Sequence, residues 1–326
     1  MWSLPRGLIG AVAITAVLAV VGAANGMQFS SWATAQKIDE IGGNSTELNT
    51  AAVDGCPIQS PDGLSLYMAS SRPGGQGNLD IWVATRESTG ASWGAPQNLT
   101  AINTAADEFC PTPVRGNGLF FVSRKVVTGV TCGLGDIYFT RRNPVHGWSE
   151  PQHFACAPDG PNTVLDEQGP SRVTIDGTEY LYFSSSRAAA QPGGLVNGDI
   201  YVSERVGDGF GPGVAVAGLN EAAANDIQPN VRKDGLEVVF SSNRGGGGGL
   251  QDIWVATRES TNDPWSAPFN LGSAVNTTAS ETRPSLSWNA DQLLFGRQAP
   301  NYAGEGGTGM TDIYVAKREK LEGGGS

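Results

Sequence analysis

The stretch SSRPGGQGNLDIWVATREST, from Ser70 to Thr89, returns later in the chain as SSNRGGGGGLQDIWVATREST, from Ser241 to Thr261. Repetition of this kind is typical of architectures in which each unit packs on a near-copy of itself. The short word Asp-Ile-Trp/Tyr at the centre of both stretches occurs five times in the chain. It begins at Asp80, Asp136, Asp199, Asp252 and Asp312.

Each copy of the word sits in a larger repeated pattern. An apolar run before it ends at an arginine, namely Arg72, Arg124, Arg187, Arg244 or Arg297. Further upstream lie a hairpin-type turn, such as Asp62-Gly63 or Asp234-Gly235, and then a segment that opens with proline. Downstream, an aromatic residue such as Trp93 or Trp265 follows another turn. The pattern predicts four short strands per unit, which we label A to D, as in the blades of a β-propeller.

The two ends of the chain together complete the last unit. The fifth copy stops after its third strand, whereas the segment around Trp32, before the first copy, resembles the D strands of other units. A strand from about Ser30 to Ile41 is therefore expected to close the ring and remove an exposed sheet edge. The prediction is an all-β, five-bladed propeller in one domain, residues 27–320, with blades at about 54–100, 108–156, 167–217, 226–272, and 281–319 plus 30–41.

The terminal segments suggest processing. Arg6 precedes an apolar run from Leu8 to Val21 and then small residues, which predicts a signal peptide over residues 1–24. An uncleaved anchor is the alternative. We expect a secreted or periplasmic protein that is not inserted in the membrane after cleavage. Residues 321–326 have the composition of a linker or tag remnant.

Composition narrows the classes of partner. The 326 residues carry a net charge of −11, which disfavours nucleic acid. Only two histidines occur, His146 and His153, and no phosphate-loop, nucleophile-elbow or zinc-spacing motif is present, so we predict no cofactor and no metal. Calcium remains an open alternative because carboxylates are abundant. A monomer is expected.

The repeats bring charged residues to one end of the propeller. The B strands end, and the C strands begin, at the same end, so the five arginines and the five aspartates named above should meet there. An acid three residues before each blade-opening proline joins them: Asp54, Glu108, Glu167, Asp226 and Glu281. Because all five blades repeat these groups, we interpret them as a structural belt in which each guanidinium is shared by two carboxylates and fixes the angles between blades.

The B–C loops differ between blades and are the expected binding surface. Asn301 and Tyr302 in the fifth loop are the candidate ligand-binding side chains, and a solvated turn is the alternative. The four cysteines all map near the same end. We expect disulfides Cys132–Cys156 within the second blade and Cys56–Cys110 between two blades, with Cys56 and Cys110 as buried free thiols the alternative.

Two stretches of the sequence resemble the TolB-type, WD40-like (PD40) propeller repeats of bacterial envelope proteins: SPDGLSLYMASSRPGGQGNLDIWVATRE and SWGAPQNL. That resemblance implies binding or scaffolding, so we predict a module that recognises a protein or carbohydrate partner through its loop face. The sequence does not distinguish such a binding module from a purely structural envelope protein. The alternative is a glycoside hydrolase, because five-bladed glycosidases, by resemblance, place acids on the inner strands of their first three blades, where this chain has Asp54, Glu108 and Glu167.

Overall fold

The computed structural model describes residues 28–188, 197–298 and 311–321. Its first regular elements are the short strand β1 (Gln36–Lys37) and a single 3-10 turn over Ile38–Glu40. A second 3-10 turn spans Ser186–Ala188. Every other element is a strand, and the strands form five antiparallel sheets that succeed one another along the chain as propeller blades.

The strands of each blade follow one another in the order A to D. Blade 1 contains β2 (Asp54–Gln59), β3 (Ser65–Ser70), β4 (Asp80–Thr85) and β5 (Gln97–Asn98). Blade 2 contains β6 (Glu108–Val114), β7 (Gly118–Ser123), β8 (Asp136–Asn143), β9 (Gly147–Trp148) and β10 (Gln152–His153). Blade 3 contains β11 (Glu167–Ile175), β12 (Thr178–Ser185), β13 (Asp199–Val206), β14 (Gly209–Phe210) and β15 (Val214–Ala215).

Blade 4 contains β16 (Asp226–Val231), β17 (Glu237–Ser242), β18 (Asp252–Thr257) and β19 (Phe269–Asn270). Blade 5 contains β20 (Ser280–Leu286), β21 (Gln292–Gln298) and β22 (Thr311–Lys317). Its outer strand is β1, which pairs antiparallel with β22, Gln36 opposite Val315. The predicted closure of the ring by the N-terminal strand is therefore confirmed.

The inner strand of every blade carries the same bulge. The register between strands A and B shifts at a residue-proline pair: Cys56-Pro57, Cys110-Pro111, Gly169-Pro170, Gln228-Pro229 and Arg283-Pro284. The residue before the proline has a positive φ, between 49° and 58°, in all five blades. Proline lacks an N–H for the ladder, so the bulge places it where no partner is needed.

Side chains just after these prolines tie the inner strands of neighbouring blades together. Thr112 Oγ1 donates to the carbonyl of Pro170 at 2.5 Å, and Ser285 Oγ donates to the carbonyl of Pro57 at 2.6 Å. The backbone N–H groups of Val231 and Leu286 donate to Ser171 Oγ and Asn230 Oδ1. These bonds surround the central channel, whose upper end we define as the end where the A strands begin, and whose lower end lies at the A–B turns.

Apolar side chains fill the spaces between blades. Between blades 1 and 5, Met68 and Trp82 pack with Leu294 and Ile313, and all four are buried. Within the described residues no helix has the length and hydropathy needed to cross a bilayer. The expected signal peptide lies outside the described residues, as do Asn301, Tyr302 and all but the first residue of the expected linker.

Candidate functional site

The five acids at the start of the A strands are closed off inside their blades. Asp54 has no exposed surface. It accepts hydrogen bonds from the backbone N–H and hydroxyl of Thr50 at 2.6 and 2.7 Å, and from Ser70 Oγ at 2.6 Å. Arg72 Nη2 lies 2.5 Å from the same carboxylate. Four donors therefore occupy the two carboxylate oxygens of Asp54, and the carboxylate does not line the channel.

Three further blades repeat this arrangement. Ion pairs join Glu167 to Arg187 at 3.3 Å, Asp226 to Arg244 at 2.5 Å and Glu281 to Arg297 at 2.7 Å. Each acid also accepts from the backbone N–H of a residue four or five positions earlier, and none has exposed surface. Acid and arginine belong to the same blade in every case. The expectation that two carboxylates share each guanidinium is therefore wrong for these blades. Arg72, Arg187, Arg244 and Arg297 also donate to carbonyls of the segments that lead in from the preceding blade, at Leu48, Pro161, Leu219 and Val275.

Blade 2 departs from the pattern. Arg124 is the member of the set that does lie between two carboxylates, Asp107 at 3.3 Å and Asp166 at 3.2 Å, and so it bridges blades 2 and 3. Glu108 has no ion pair within the described residues. Thr104 and Ser123 are its hydrogen-bond donors, and burial raises its pKa. Burial also raises the pKa of Glu167, although hydrogen bonds from Thr163 and Ser185 oppose the shift.

Asp80, Asp136 and Asp252 accept from backbone N–H groups of their upper loops, and among the described residues no aspartate of the Asp-Ile words forms an ion pair with arginine. Asp80 accepts from the backbone N–H of Gly77 at 3.0 Å and from Asn98 Nδ2 on strand D at 3.0 Å. Equivalent strand-D contacts join Asp252 to Asn270, Asp136 to His153 and Asp312 to Lys37. In blade 3, burial and the charge of Asp226 raise the pKa of Asp199. The belt therefore has two separate tiers, which spacing in the sequence did not reveal.

The cysteines divide into a disulfide and a thiol pair. Cys132 and Cys156 are bonded. Cys56 and Cys110 are buried free thiols with sulfurs 2.9 Å apart, beyond the covalent distance of about 2.05 Å, so the expected second disulfide is wrong and its stated alternative describes the structure. Burial raises the pKa of Cys110, but its hydrogen bond with Cys56 and the charge of Arg283 lower it to about 7.

One grouping within the described residues has metal-ligand chemistry, namely Cys132, Asp136 and His153. The sulfur of Cys132 belongs to the disulfide, so it offers no thiolate. His153 Nε2 and Asp136 Oδ2 lie 2.9 Å apart and satisfy each other. This grouping therefore serves to hold the second B–C loop.

The same loop exposes apolar side chains at the upper end. Val126, Val130 and Leu134 in the loop, and Val164 in the adjoining segment, are between 48% and 80% exposed. We call these four residues the upper apolar patch. Besides the disulfide, the Leu134 N–H donates to the carbonyl of Leu165 at 3.2 Å, and a Cβ at Gly133 would meet backbone atoms of residues 163–165. The loop is thus fixed while its apolar side chains face solvent.

Comparison with known proteins agrees with the architecture. No protein-family model matches the chain, and no curated protein matches it. Among solved structures, the α-L-arabinofuranosidase from Podospora anserina in complex with cellotriose is 13% identical with a TM-score of 0.56, covering 89% of this chain and 97% of that one. The α-L-arabinofuranosidase from Lactobacillus brevis is 12% identical with a TM-score of 0.54, covering 86% and 94%.

A putative TolB from Agrobacterium tumefaciens also matches, at 12% identity and a TM-score of 0.44, over 90% of this chain and 99% of that one. Most of the similar structures are glycoside hydrolases, and the TolB protein is among the rest. At identities this low, the likenesses show the fold alone. The chain is a five-bladed β-propeller, a fold that does not by itself determine function.

Proposed function

We propose that this protein is a non-catalytic binding propeller that contacts a partner protein through the upper apolar patch. The observation that carries the proposal is the exposure of Val126, Val130, Leu134 and Val164 on a loop held by a disulfide. Exposed apolar side chains that are held in place and bordered by polar groups are typical of protein interaction sites. Arg124, Asp107 and Asp166 provide such a border, with the Arg124 side chain 39% exposed.

The described part of this face suits a protein partner. The described B–C loops, 71–79, 124–135 and 243–251, include no aromatic side chain, whereas Tyr302 belongs to a loop outside the described residues. Sugar rings usually stack on aromatic planes, whereas branched aliphatic side chains suit an apolar protein surface. A preformed loop also lowers the entropy cost of association.

A capture experiment tests this proposal. The double variant Val126→Glu/Leu134→Glu places charge on the patch, and Val145→Glu is its matched control, because Val145 is 82% exposed on the lower C–D turn. Each immobilised protein is incubated with an envelope extract of the producing cells, and bound proteins are identified. We expect a partner retained by the wild type and by Val145→Glu and lost by the double variant. Equal capture by all three, or none by the wild type, would contradict the proposal.

A glycoside hydrolase is the second candidate, and the comparisons support it more than they support the first, since most of the similar structures are such enzymes. One feature of this chain favours it as well. Glu108 lacks an arginine partner among the described residues and its pKa is raised, the direction that a general acid requires. Against it, Asp54, Glu108 and Glu167 have no exposed surface, so a substrate could reach them only after the upper loops move.

A further inference from the structure

The lower end of the central channel opens into a cavity of about 310 Å³ lined by the inner strands of all five blades. That volume is at the small end of the range for small-molecule sites. Each blade contributes the residue four positions after its proline to the rim: Pro61, Arg115, Thr174, Lys233 and Trp288. We call these five residues the lower rim. None of them belongs to the acid-arginine pairs or to the upper apolar patch.

Two cations on the lower rim are held by one aromatic ring. The guanidinium carbon of Arg115 lies 4.5 Å from the centroid of a Trp288 ring, and Lys233 Nζ lies 5.2 Å from it. Cation–π contacts of this kind hold both positive groups at one aromatic side chain without neutralising either. Both residues are exposed, and no described carboxylate forms an ion pair with Arg115 or Lys233.

Several acids near the cavity are already engaged. Asp234 pairs with Arg232 at 2.8 Å, and Glu179 pairs with Arg172 and Arg205. Asp62 accepts from Ser60 Oγ and the Leu64 N–H within its own turn, which lowers its pKa. The exposed Asp176 lies in the A–B turn of blade 3. Among the described residues, the two rim cations therefore have no carboxylate partner, unlike the buried arginines that pair with the acids of the A strands.

From this arrangement we propose that the cavity at the lower end of the channel binds a small organic oxyanion, a carboxylate or phosphate ester, through Arg115 and Lys233. The two cations supply charge-assisted hydrogen bonds, Trp288 holds them in place, and the cavity limits the size of the ligand. The site lies at the opposite end of the channel from the upper apolar patch and does not depend on the function proposed for that patch. Because the whole chain carries a charge of −11, general electrostatics would repel such a ligand, so binding must come from this local arrangement.

Calorimetric titration tests the site with citrate, glucuronate and glycerol phosphate as probes and glucose as the neutral comparison. Binding of citrate or glucuronate would indicate recognition of a carboxylate, and binding of glycerol phosphate would indicate recognition of a phosphate ester. We expect the wild type to bind at least one anion at low ionic strength, to bind it more weakly in high salt, and not to bind glucose.

Two double variants with equal charge change locate the binding. Arg115→Gln/Lys233→Gln should weaken binding by about tenfold or more. Lys125→Gln/Lys320→Gln, which removes two exposed cations that do not line the cavity, should bind as the wild type does. Thermal melting checks that both variants are folded. Absence of anion binding to the wild type, equal loss in both double variants, or unchanged binding in the rim variant would each overturn the proposal.

Discussion

Nη2 of Arg244 lies 2.5 Å from Oδ1 of Asp226, and the two side chains are 7% and 0% exposed. Nε of Arg244 donates to Ser242 Oγ at 3.0 Å, and its guanidinium lies over the rings of Phe240 and Trp254. The pair thus joins the start of strand A to the end of strand B within blade 4. Removing one member of such a pair leaves the other charge buried without its partner, which lowers the stability of the folded state.

Arg244→Ala should therefore lower the free energy of unfolding by about 3 kcal/mol, because Asp226 would remain buried without its counter-charge. The matched control is Arg124→Ala, where the side chain is 39% exposed and solvent screens its two carboxylates. That change should cost about 1 kcal/mol or less. Urea unfolding measures both. Equal losses would show that burial of the pair does not determine its contribution.

Glu108 should make stability depend on pH in the opposite sense to an ion-paired acid. Burial raises its pKa above the ordinary value of 4.5, so the folded state holds this proton more tightly than the unfolded state does. Its contribution is fully present below pH 4.5 and is lost as the pH rises through the raised folded value. Relative to the wild type, Glu108→Gln should gain stability as the pH rises from 4.5 through the raised folded value.

Unfolding in urea at a series of pH values measures that gain. Asp54→Asn is the comparison, since it leaves Arg72 buried without a carboxylate and should lose about 3 kcal/mol near neutral pH. A stability difference between Glu108→Gln and the wild type that stays constant with pH would contradict the raised pKa.

The thiol pair makes a separate prediction. Cys56 and Cys110 are buried, so a thiol reagent should find no reactive group in the folded protein and two per chain after denaturation. Finding none after denaturation would mean that the two sulfurs are covalently bonded.

The Cys110 thiolate should appear with a midpoint near pH 7, because Cys56 and Arg283 offset the effect of burial. Ultraviolet absorbance of the folded protein follows the thiolate, and Cys110→Ser provides the baseline. Removing the nearby charge with Arg283→Gln should raise the midpoint. A midpoint near the ordinary value of 9.0 in the wild type would contradict this assignment.

The repeated words predicted the blades, their order and the closing strand, because hydrophobic alternation and turn residues act locally. The bulge at each proline was not foreseen. Among the five residues that precede these prolines, only Gly169 is of a type that indicates a positive φ. Cys56, Cys110, Gln228 and Arg283 adopt a positive φ because the ring of inner strands imposes it. The partners of Asp80 and Asp252 also escaped prediction, since backbone N–H groups of the loops leave no residue-specific signal.

The lower rim was missed for a related reason. Arg115, Lys233 and Trp288 belong to three different blades and occupy a position that the other two blades fill with Pro61 and Thr174. Residues that differ from blade to blade are not predicted by the repeated pattern. They become neighbours only when the ring closes and brings blades 2, 4 and 5 around one channel.

We propose that the acids of the A strands hold strands A and B of their own blades together and do not cleave a substrate. The most direct test is a turnover screen of the folded protein against a panel of arabinose-, xylose- and glucose-containing oligosaccharides, with Glu167→Gln and Glu108→Gln alongside. We predict no sugar release by any of the three proteins. Release by the wild type that disappears in variants with unchanged melting would contradict the claim and make this propeller a glycoside hydrolase.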